Sequence, residues 1–118
     1  MKLSEYTALD ATGLAALVRS GVVSPRELVE TALLAIRQTD EKIHAVVDYT
    51  YDYAMKQLKN GVDRDAPFCG VPFALKDSGG IAEGIRTTLG TRLSGSGVYA
   101  KHDSTLFKRI KQAGIIVV

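Results

Sequence analysis

The segment from Gly70 to Gly80, GVPFALKDSGG, places a lysine beside an aspartate where an apolar run gives way to glycine. Lys76 follows three apolar residues, so it falls at the C-terminal end of a predicted buried strand. Open α/β sheets bind ligands at this edge. Withdrawal from water disfavours the charged form of a lysine, and a neutral amine can act as a base at neutral pH. Lys76, partly withdrawn from water, is therefore a candidate catalytic residue.

A simpler interpretation of the same residues is an exposed ion pair between Lys76 and Asp77 at the end of the strand. Such a pair contributes at most about 1 kcal/mol, and spacing alone favours this interpretation over catalysis. Asp77 is also compatible with a turn cap. The nearby Thr87 and Thr88 are typical of turns that bond to backbone groups, and neither is a catalytic candidate.

No other residues form a pattern typical of a metal or cofactor site. Cys69, His44 and His102 lack the spacing of metal ligands or of a cysteine nucleophile with its histidine base. Gly79 and Gly80 belong neither to a phosphate loop nor to a dinucleotide-binding motif. We therefore expect neither a metal nor another cofactor.

The composition restricts the class of protein. The 118 residues are 46% hydrophobic and 24% charged, which is typical of one small globular domain. The net charge is +2 and the basic residues are scattered among acidic ones, so nucleic acid is not an expected partner. With one cysteine, no signal peptide and no apolar run of about 18 residues, we expect a cytoplasmic protein that does not enter membranes.

The N-terminal half carries clear signals for helices. Asp10 is a good N-cap for a first short helix, and Ser24 with Glu27 forms a capping box around Pro25, which suits the first position of a helix. Apolar residues then recur at helical spacing, which predicts an amphipathic helix that ends near residues 39–40.

The remaining pattern predicts strands alternating with helices. An extended segment, Ala45–Tyr49, precedes a helix over Tyr51–Leu58. An apolar strand over Val71–Leu75 is followed, after a polar excursion, by a helix from Asp103 as N-cap to Gln112 and then by the strand Ile115–Val118. Strand, helix and strand in this order predict a βαβ crossover with parallel strands.

The excursion from Asp77 to Gly97 is rich in glycine, serine and threonine, which predicts a loop rather than regular structure. Long loops inside compact domains are usually functional or disordered. Its two serines Ser94 and Ser96 stand in a small-residue run that we interpret as a flexible loop and not as a nucleophile.

The motif CGVPFALKDSGGIAEGIRTTLGTR, followed by DSTLFKRIKQAGIIVV, resembles the amidase signature family. The usual pattern of that family is GVP, an apolar pair, KD, then G, TT and G, and later an apolar helix ending in AG. The upstream LVE, ALLAI and AVVDY segments resemble the helices and the strand that precede this motif in the family. The resemblance covers nearly all of the chain.

The resemblance implies an α/β fold, with N-terminal helices and the first strands of a large mixed sheet flanked by helices. Family members hydrolyse carboxylic amides with a Ser, cis-Ser, Lys triad, and the family's lysine falls on Lys76. The two serines would lie downstream of Val118. We therefore expect residues 1–118 to be the N-terminal part of a single domain. About residues 1–60 would form a helical region, and about residues 67–118 would form the start of the α/β core. We expect these 118 residues to be inactive on their own.

The resemblance leaves three functions open. The first is hydrolysis of a small-molecule amide, and Thr91-Arg92 with the glycine-rich segment resembles hydrolases of small or cyclic amides. The second is an amidotransferase A-type subunit. The third is a non-catalytic remnant or interaction module that pairs through an exposed strand edge with the missing C-terminal part or with a homodimer partner.

Overall fold

Five helices and four two-residue strands make up the chain, and the computed structural model describes all of residues 1–118. The helices are α1 (Leu3–Thr7), α2 (Ala11–Arg19), α3 (Pro25–Ile43), α4 (Tyr51–Lys59) and α5 (Thr105–Gln112). The strands are β1 (Pro72–Phe73), β2 (Arg86–Thr87), β3 (Val98–Tyr99) and β4 (Ile116–Val117), with a short 3-10 turn at Arg92–Ser94. None of the helices combines the length and apolar character that crossing a bilayer requires.

The capping signals at the starts of α2 and α3 are confirmed. The side chain of Asp10 accepts a hydrogen bond from the Gly13 N–H at 2.8 Å. The Ser24 hydroxyl accepts one from the Glu27 N–H at 3.2 Å, and the Glu27 carboxylate accepts one from the Ser24 N–H at 2.9 Å. Each cap satisfies N–H groups that have no partner inside the helix.

Helix α3 continues to Ile43, beyond the end that the sequence predicted. The Thr39 hydroxyl donates back to the Ala35 carbonyl at 2.9 Å, so this residue stays inside the helix instead of ending it. The Asp40 carboxylate accepts from the N–H groups of Ala45 and Val46, at 2.7 and 2.9 Å. These residues fix the exit of the helix a turn later than expected.

Two helix starts differ from the prediction. Helix α1 was not expected, since its five residues are too short for a periodic signal, but Glu5 accepts from the Lys2 N–H at 2.8 Å and caps it. Helix α5 is capped by Ser104, whose hydroxyl accepts from Phe107 N–H, and the prediction of Asp103 as the cap was wrong. Asp103 instead accepts from the Glu83 N–H and pairs with Lys111.

The parallel βαβ crossover is confirmed. Strands β1 and β4 are parallel, with Pro72 opposite Ile116, and the Val71 and Phe73 carbonyls accept from the N–H groups of Ile116 and Val118 at 2.9 and 3.1 Å. The regular part of β1 is shorter than predicted and is not covered on both faces, because Phe73 is 41% exposed.

One further strand prediction was wrong. Ala45–Tyr49 forms no strand, because its first two N–H groups bond to a carboxylate at the end of α3 and no neighbouring strand pairs with it. The prediction of a loop-rich excursion is confirmed for most of its length. The exceptions are the 3-10 turn and β2, which pairs antiparallel with β3 just after the excursion, with Arg86 opposite Tyr99.

The core consists of three groups of buried side chains. The first joins α2 to the start of α3 and to the turn before β1, the second joins α3, α4 and β4, and the third lies around Phe107 of α5. The largest fully buried side chains are Phe107, Leu28, Val29, Val117 and Cys69. Strand β4 contributes to two of the groups, so it links the helical layer to α5.

A glycine directly before β4 is required by both conformation and space. Gly114 has a φ of 85°, and a Cβ there would lie 2.8 Å from the Ala66 Cβ and 3.1 Å from the Cys69 backbone. Gly84 has a similar φ of 79°, but a Cβ added there would meet no atom within 4 Å. A side chain at Gly114 would therefore cause both backbone strain and crowding, whereas one at Gly84 would cause backbone strain alone.

We predict that Gly114→Ala lowers the free energy of unfolding by about 3 kcal/mol, from left-handed strain plus overpacking. The matched variant Gly84→Ala carries the strain alone and should lower it by about 1 kcal/mol. Urea unfolding followed by circular dichroism measures both. Equal losses for the two variants would show that the contact of α5 with the turn before β1 is not as tight as described.

Candidate functional site

A cleft of 380 Å³ lies at the C-terminal ends of β1 and β4. Three segments line it: the strand ends with Ala74–Ser78, the segment after α3 that includes Ala45–Asp48, and Ile85–Gly90 of the excursion. The C-terminal edge of parallel strands is the place where ligands bind in α/β sheets. Lys76 lines this cleft, at the edge that the sequence predicted.

Lys76 is exposed to solvent and its ammonium makes no hydrogen bond or ion pair with the rest of the chain. The expectation that it would be partly withdrawn from water is therefore wrong for these residues, because two short strands offer too little apolar cover. The backbone turns directly after it, with the Lys76 carbonyl accepting from the Gly79 and Gly80 N–H groups at 3.0 and 3.3 Å. A Cβ at Gly80 would lie 2.9 Å from the Leu75 Cγ, so Leu75 would have to move to admit a side chain there.

The alternative of a Lys76–Asp77 ion pair is also wrong, because the aspartate has other partners. Asp77 Oδ1 accepts from the Thr88 N–H at 2.7 Å, and its Oδ2 accepts from the Thr88 hydroxyl at 2.7 Å and from the Gly90 N–H at 3.1 Å. The Thr88 hydroxyl, followed by the Thr88 and Gly90 N–H groups, lowers the pKa of Asp77 below its ordinary value. Asp77 caps a turn, as one of the two sequence interpretations proposed.

The turn that Asp77 holds has an unusual backbone. The Thr91 N–H donates to the Thr88 carbonyl at 3.2 Å, and the two residues between them, Leu89 and Gly90, have φ values of 56° and 61°. Positive φ at both central residues is the pattern of type I′ turns, and it is unfavourable for leucine. The hydrogen bonds of Asp77 compensate for this strain at the rim of the cleft.

Ser94 supports the same turn. Its hydroxyl lies 2.7 Å from the Thr88 carbonyl and 2.8 Å from the Thr91 carbonyl and donates to them. A serine hydroxyl committed to backbone carbonyls is a structural group, which agrees with the interpretation of Ser94 as part of a loop. These contacts connect Ser94 to the backbone of the turn.

Sequence reasoning missed three groups that line the cleft. The Arg86 Nε lies 3.1 Å from Asp48 Oδ2, so an ion pair connects two of the lining segments. The Thr50 hydroxyl is buried and has no hydrogen-bond partner. The spacing of residues indicates neither the ion pair nor Thr50. The two charged residues are 38 positions apart, and Thr50 precedes a helix without capping it.

The other candidates lie elsewhere. His44 ends α3 in the left-handed conformation with a φ of 48°, and Cys69 is fully buried in the turn before β1. Burial is the main cause that raises the pKa of the Cys69 thiol, which keeps it in the unreactive form. No group of three or more His, Cys, Asp or Glu side chains is arranged to hold a metal ion.

Comparison with known proteins identifies the family to which this fold and cleft belong. Residues 27–118 match the family model described as Amidase, and the chain belongs to this family, the amidase signature enzymes.

The similarity extends to individual proteins. The chain is 33% identical over 92% of its length to 6-aminohexanoate-cyclic-dimer hydrolase of Pseudomonas sp. (strain NK87), and 32% identical over 98% to the A subunit of glutamyl-tRNA(Gln) amidotransferase of Streptomyces coelicolor. A solved structure of 6-aminohexanoate cyclic dimer hydrolase superposes with a TM-score of 0.81 over the whole chain at 30% identity. The chain spans 22% to 24% of the length of these proteins.

We predict that Thr88→Val raises the pKa of Asp77 toward its ordinary value of 3.8, because valine lacks the hydroxyl that stabilises the carboxylate. Thr87→Val is the matched control, since the Thr87 hydroxyl takes no part in these bonds. Carboxyl carbon NMR across an acid titration measures the Asp77 pKa in each variant. The same shift in both variants would contradict the turn described above.

The sign of the linked stability change follows from the lowered pKa. The carboxylate is the form that accepts the three hydrogen bonds, so its contribution is complete above the unfolded value near 3.8 and is lost as the pH falls through the lower folded-state pKa. The free energy of unfolding of Thr88→Val should therefore depend less on pH in this acidic range than that of the unmodified protein.

Proposed function

We propose that the protein hydrolyses a small-molecule carboxylic amide and that Lys76 acts as the proton-transfer residue of a Ser, cis-Ser, Lys triad. The observation that carries the proposal is the position of Lys76, at the carboxyl end of a strand in the cleft with its amine free of any partner. Family membership supports the class of reaction, and the GVPFALKD motif supports the assignment of the lysine. Both serines of the triad are proposed to lie outside residues 1–118.

In the proposed mechanism the neutral amine of Lys76 takes a proton from the bridging serine, which takes one from the nucleophilic serine. The nucleophile then attacks the amide carbon, and the C–N bond breaks as the Lys76 ammonium returns its proton, through the bridging serine, to the leaving nitrogen. Water then cleaves the acyl-serine ester and yields the carboxylic acid. No metal or cofactor is needed for any of these steps.

The exposure of Lys76 adds a condition to this proposal. A base must be neutral when it accepts a proton, and contact with water favours the ammonium form. We therefore propose that residues outside 1–118 cover the cleft and that residues 1–118 alone hydrolyse no amide. In this view residues 1–118 are the N-terminal part of a single domain, mainly helical over about 1–60 and with its α/β core from about 67. The single buried thiol of Cys69 is consistent with a reducing, cytoplasmic location.

We predict that Lys76→Ala abolishes amide hydrolysis in the full-length protein, with a loss in kcat/KM of at least about a thousandfold. Lys76→Arg keeps the charge but should be as inactive, because a guanidinium does not give up its proton at working pH. Both losses are measured with an anilide substrate that releases a coloured amine. The Lys76 side chain makes no hydrogen bond or ion pair within residues 1–118, so we expect both variants to melt close to the temperature of the unmodified protein.

Lys101→Ala is the matched control for these variants, since Lys101 is likewise exposed and forms no ion pair but lies outside the cleft. It should retain full activity. Near-normal turnover of Lys76→Ala would make the lysine a structural residue and remove the proposed triad.

A second candidate function is that of an amidotransferase component. It is favoured by the similarity to the A subunit of glutamyl-tRNA(Gln) amidotransferase, which is nearly as close as the similarity to the cyclic-dimer hydrolase. Both use amide cleavage, so they differ in the acceptor. Ammonia release from glutamine that is stimulated by a charged tRNA and a partner protein would support the transferase, whereas activity on simple anilides without partners supports the hydrolase.

The third candidate, an interaction module that pairs through a strand edge, has less support. The outer edge of β4 is occupied by Gln57, whose side-chain oxygen accepts from the Val117 N–H at 2.9 Å. Pro72 in β1 has no N–H to offer a further strand. A small two-stranded sheet with one edge covered and a proline at the other is poorly suited to edge pairing.

A further inference from the structure

The ion pair between Arg86 and Asp48 connects two of the three segments that line the cleft. Arg86 Nε lies 3.1 Å from Asp48 Oδ2, and Arg86 Nη1 donates to the Ser96 carbonyl at 3.3 Å. Asp48 belongs to the irregular segment between α3 and α4, which we name the strap (residues 45–50). One guanidinium therefore joins the strap to β2 and to the loop before β3.

The surroundings hold the Arg86 side chain in this position. Gly97, with a φ of 94°, lies against it so closely that a Cβ there would be 2.7 Å from the Arg86 Cγ and 3.1 Å from its Cδ. The antiparallel pairing of Arg86 with Tyr99 fixes the backbone on the same side. Contacts other than the ion pair therefore restrict where the Arg86 side chain can lie.

The strap itself is held mainly at its ends. The N–H groups of Ala45 and Val46 bond to Asp40, and Thr50 leads into α4. Between these ends the strap belongs to no helix or strand, and Val47 is 69% exposed. The contact of Asp48 with Arg86 is therefore the one ion pair or side-chain hydrogen bond of its middle part.

Thr50 lies at the end of the strap, where α4 begins, and it lines the cleft. Its hydroxyl is buried and has no hydrogen-bond partner. The strap is therefore closely packed at this end, in contrast to its exposed middle part.

We propose that the Arg86–Asp48 ion pair is a gate that limits the size of the amide admitted to the cleft beside Lys76. The proposal rests on the proposed amide hydrolysis and names the feature that selects among amides. The two side chains are 31% and 42% exposed, and ion pairs of this exposure are weak and screened by salt. The intact pair holds the strap against the hairpin, so that only small substrates fit in the cleft. When the pair is broken, the strap can move away and admit larger substrates.

The test compares the full-length protein with Arg86→Met, Asp48→Asn and the double variant. Methionine retains most of the length of the arginine stem without its charge, and asparagine retains the shape of the aspartate. The substrates are acetyl-p-nitroanilide and decanoyl-p-nitroanilide, and the quantity measured is the ratio of kcat/KM for the long amide to that for the short one. Arg92→Met is the matched control, since Arg92 lies in the same excursion and makes no ion pair.

The expected result is a rise of about threefold in this ratio for either single variant, because breaking an exposed ion pair releases less than about 1 kcal/mol. The double variant should behave like the single ones, because both substitutions remove the same contact. High salt should raise the ratio for the unmodified protein and leave it unchanged for Arg86→Met. An unchanged ratio, or effects of the two substitutions that add independently, would overturn the gate.

A second measurement tests whether the Arg86–Asp48 pair holds the strap in place, and it does not depend on enzymatic activity. Chymotrypsin should cut after the exposed Tyr49 faster in Arg86→Met and Asp48→Asn than in the unmodified protein or in Arg92→Met. Equal cleavage rates would overturn the proposal even if activity is normal. Faster cleavage in a protein that hydrolyses neither amide would instead contradict the proposed hydrolysis and leave the fastened strap supported.

Discussion

The parallel pairing of β1 with β4 is the constraint on which the rest of the structure depends. Besides the two ladder bonds from Ile116 and Val118, the Gly70 N–H donates to the Gly114 carbonyl at 2.8 Å, so pairing begins in the turn before β1. This pairing places the ends of both strands at one edge and opens the cleft there. It also determines where α5 packs, because the strand that follows α5 must lie beside β1. The requirement for glycine at position 114 is the steric consequence of this close approach.

The two edges of the β1–β4 sheet differ in how they are covered, and this difference decides where a further strand could pair. Gln57 from α4 occupies the outer edge of β4, with its oxygen accepting from Val117 and its nitrogen 3.5 Å from the Ile115 carbonyl. A side-chain amide has the same donor and acceptor as a peptide group, so it substitutes for a neighbouring strand. Any further strand beside β4 would have to displace Gln57. The edge of β1 has no such cover, and only Pro72 weakens it.

The parts of the fold that the sequence predicted are those that depend on neighbouring residues. The capping box at Ser24 acts within four positions, and the parallel strands follow from the order of strand, helix and strand. The failures depend on distant contacts. The end of α3 is moved by the bonds of Asp40 to the residues after it, and Asp103 is engaged by Glu83, 20 positions away, so it was not free to cap α5. The ion pair of Arg86 with Asp48 belongs to the same class, since nothing local in either segment indicates it.

The candidate site also combines features that neighbouring residues predict with features that depend on distant contacts. The position of Lys76 at the strand end was predictable from the apolar run before it, but its partners were not. An aspartate next to a lysine suggests an ion pair that would stabilise the ammonium form. Here the Asp77 carboxylate accepts three hydrogen bonds from Thr88 and Gly90, and it forms no ion pair with the Lys76 amine. The adjacent aspartate therefore both shapes the rim of the cleft and leaves the lysine without a counterion. In that arrangement, exclusion of water from the cleft is the remaining step that would favour the neutral amine that the proposed proton transfer requires.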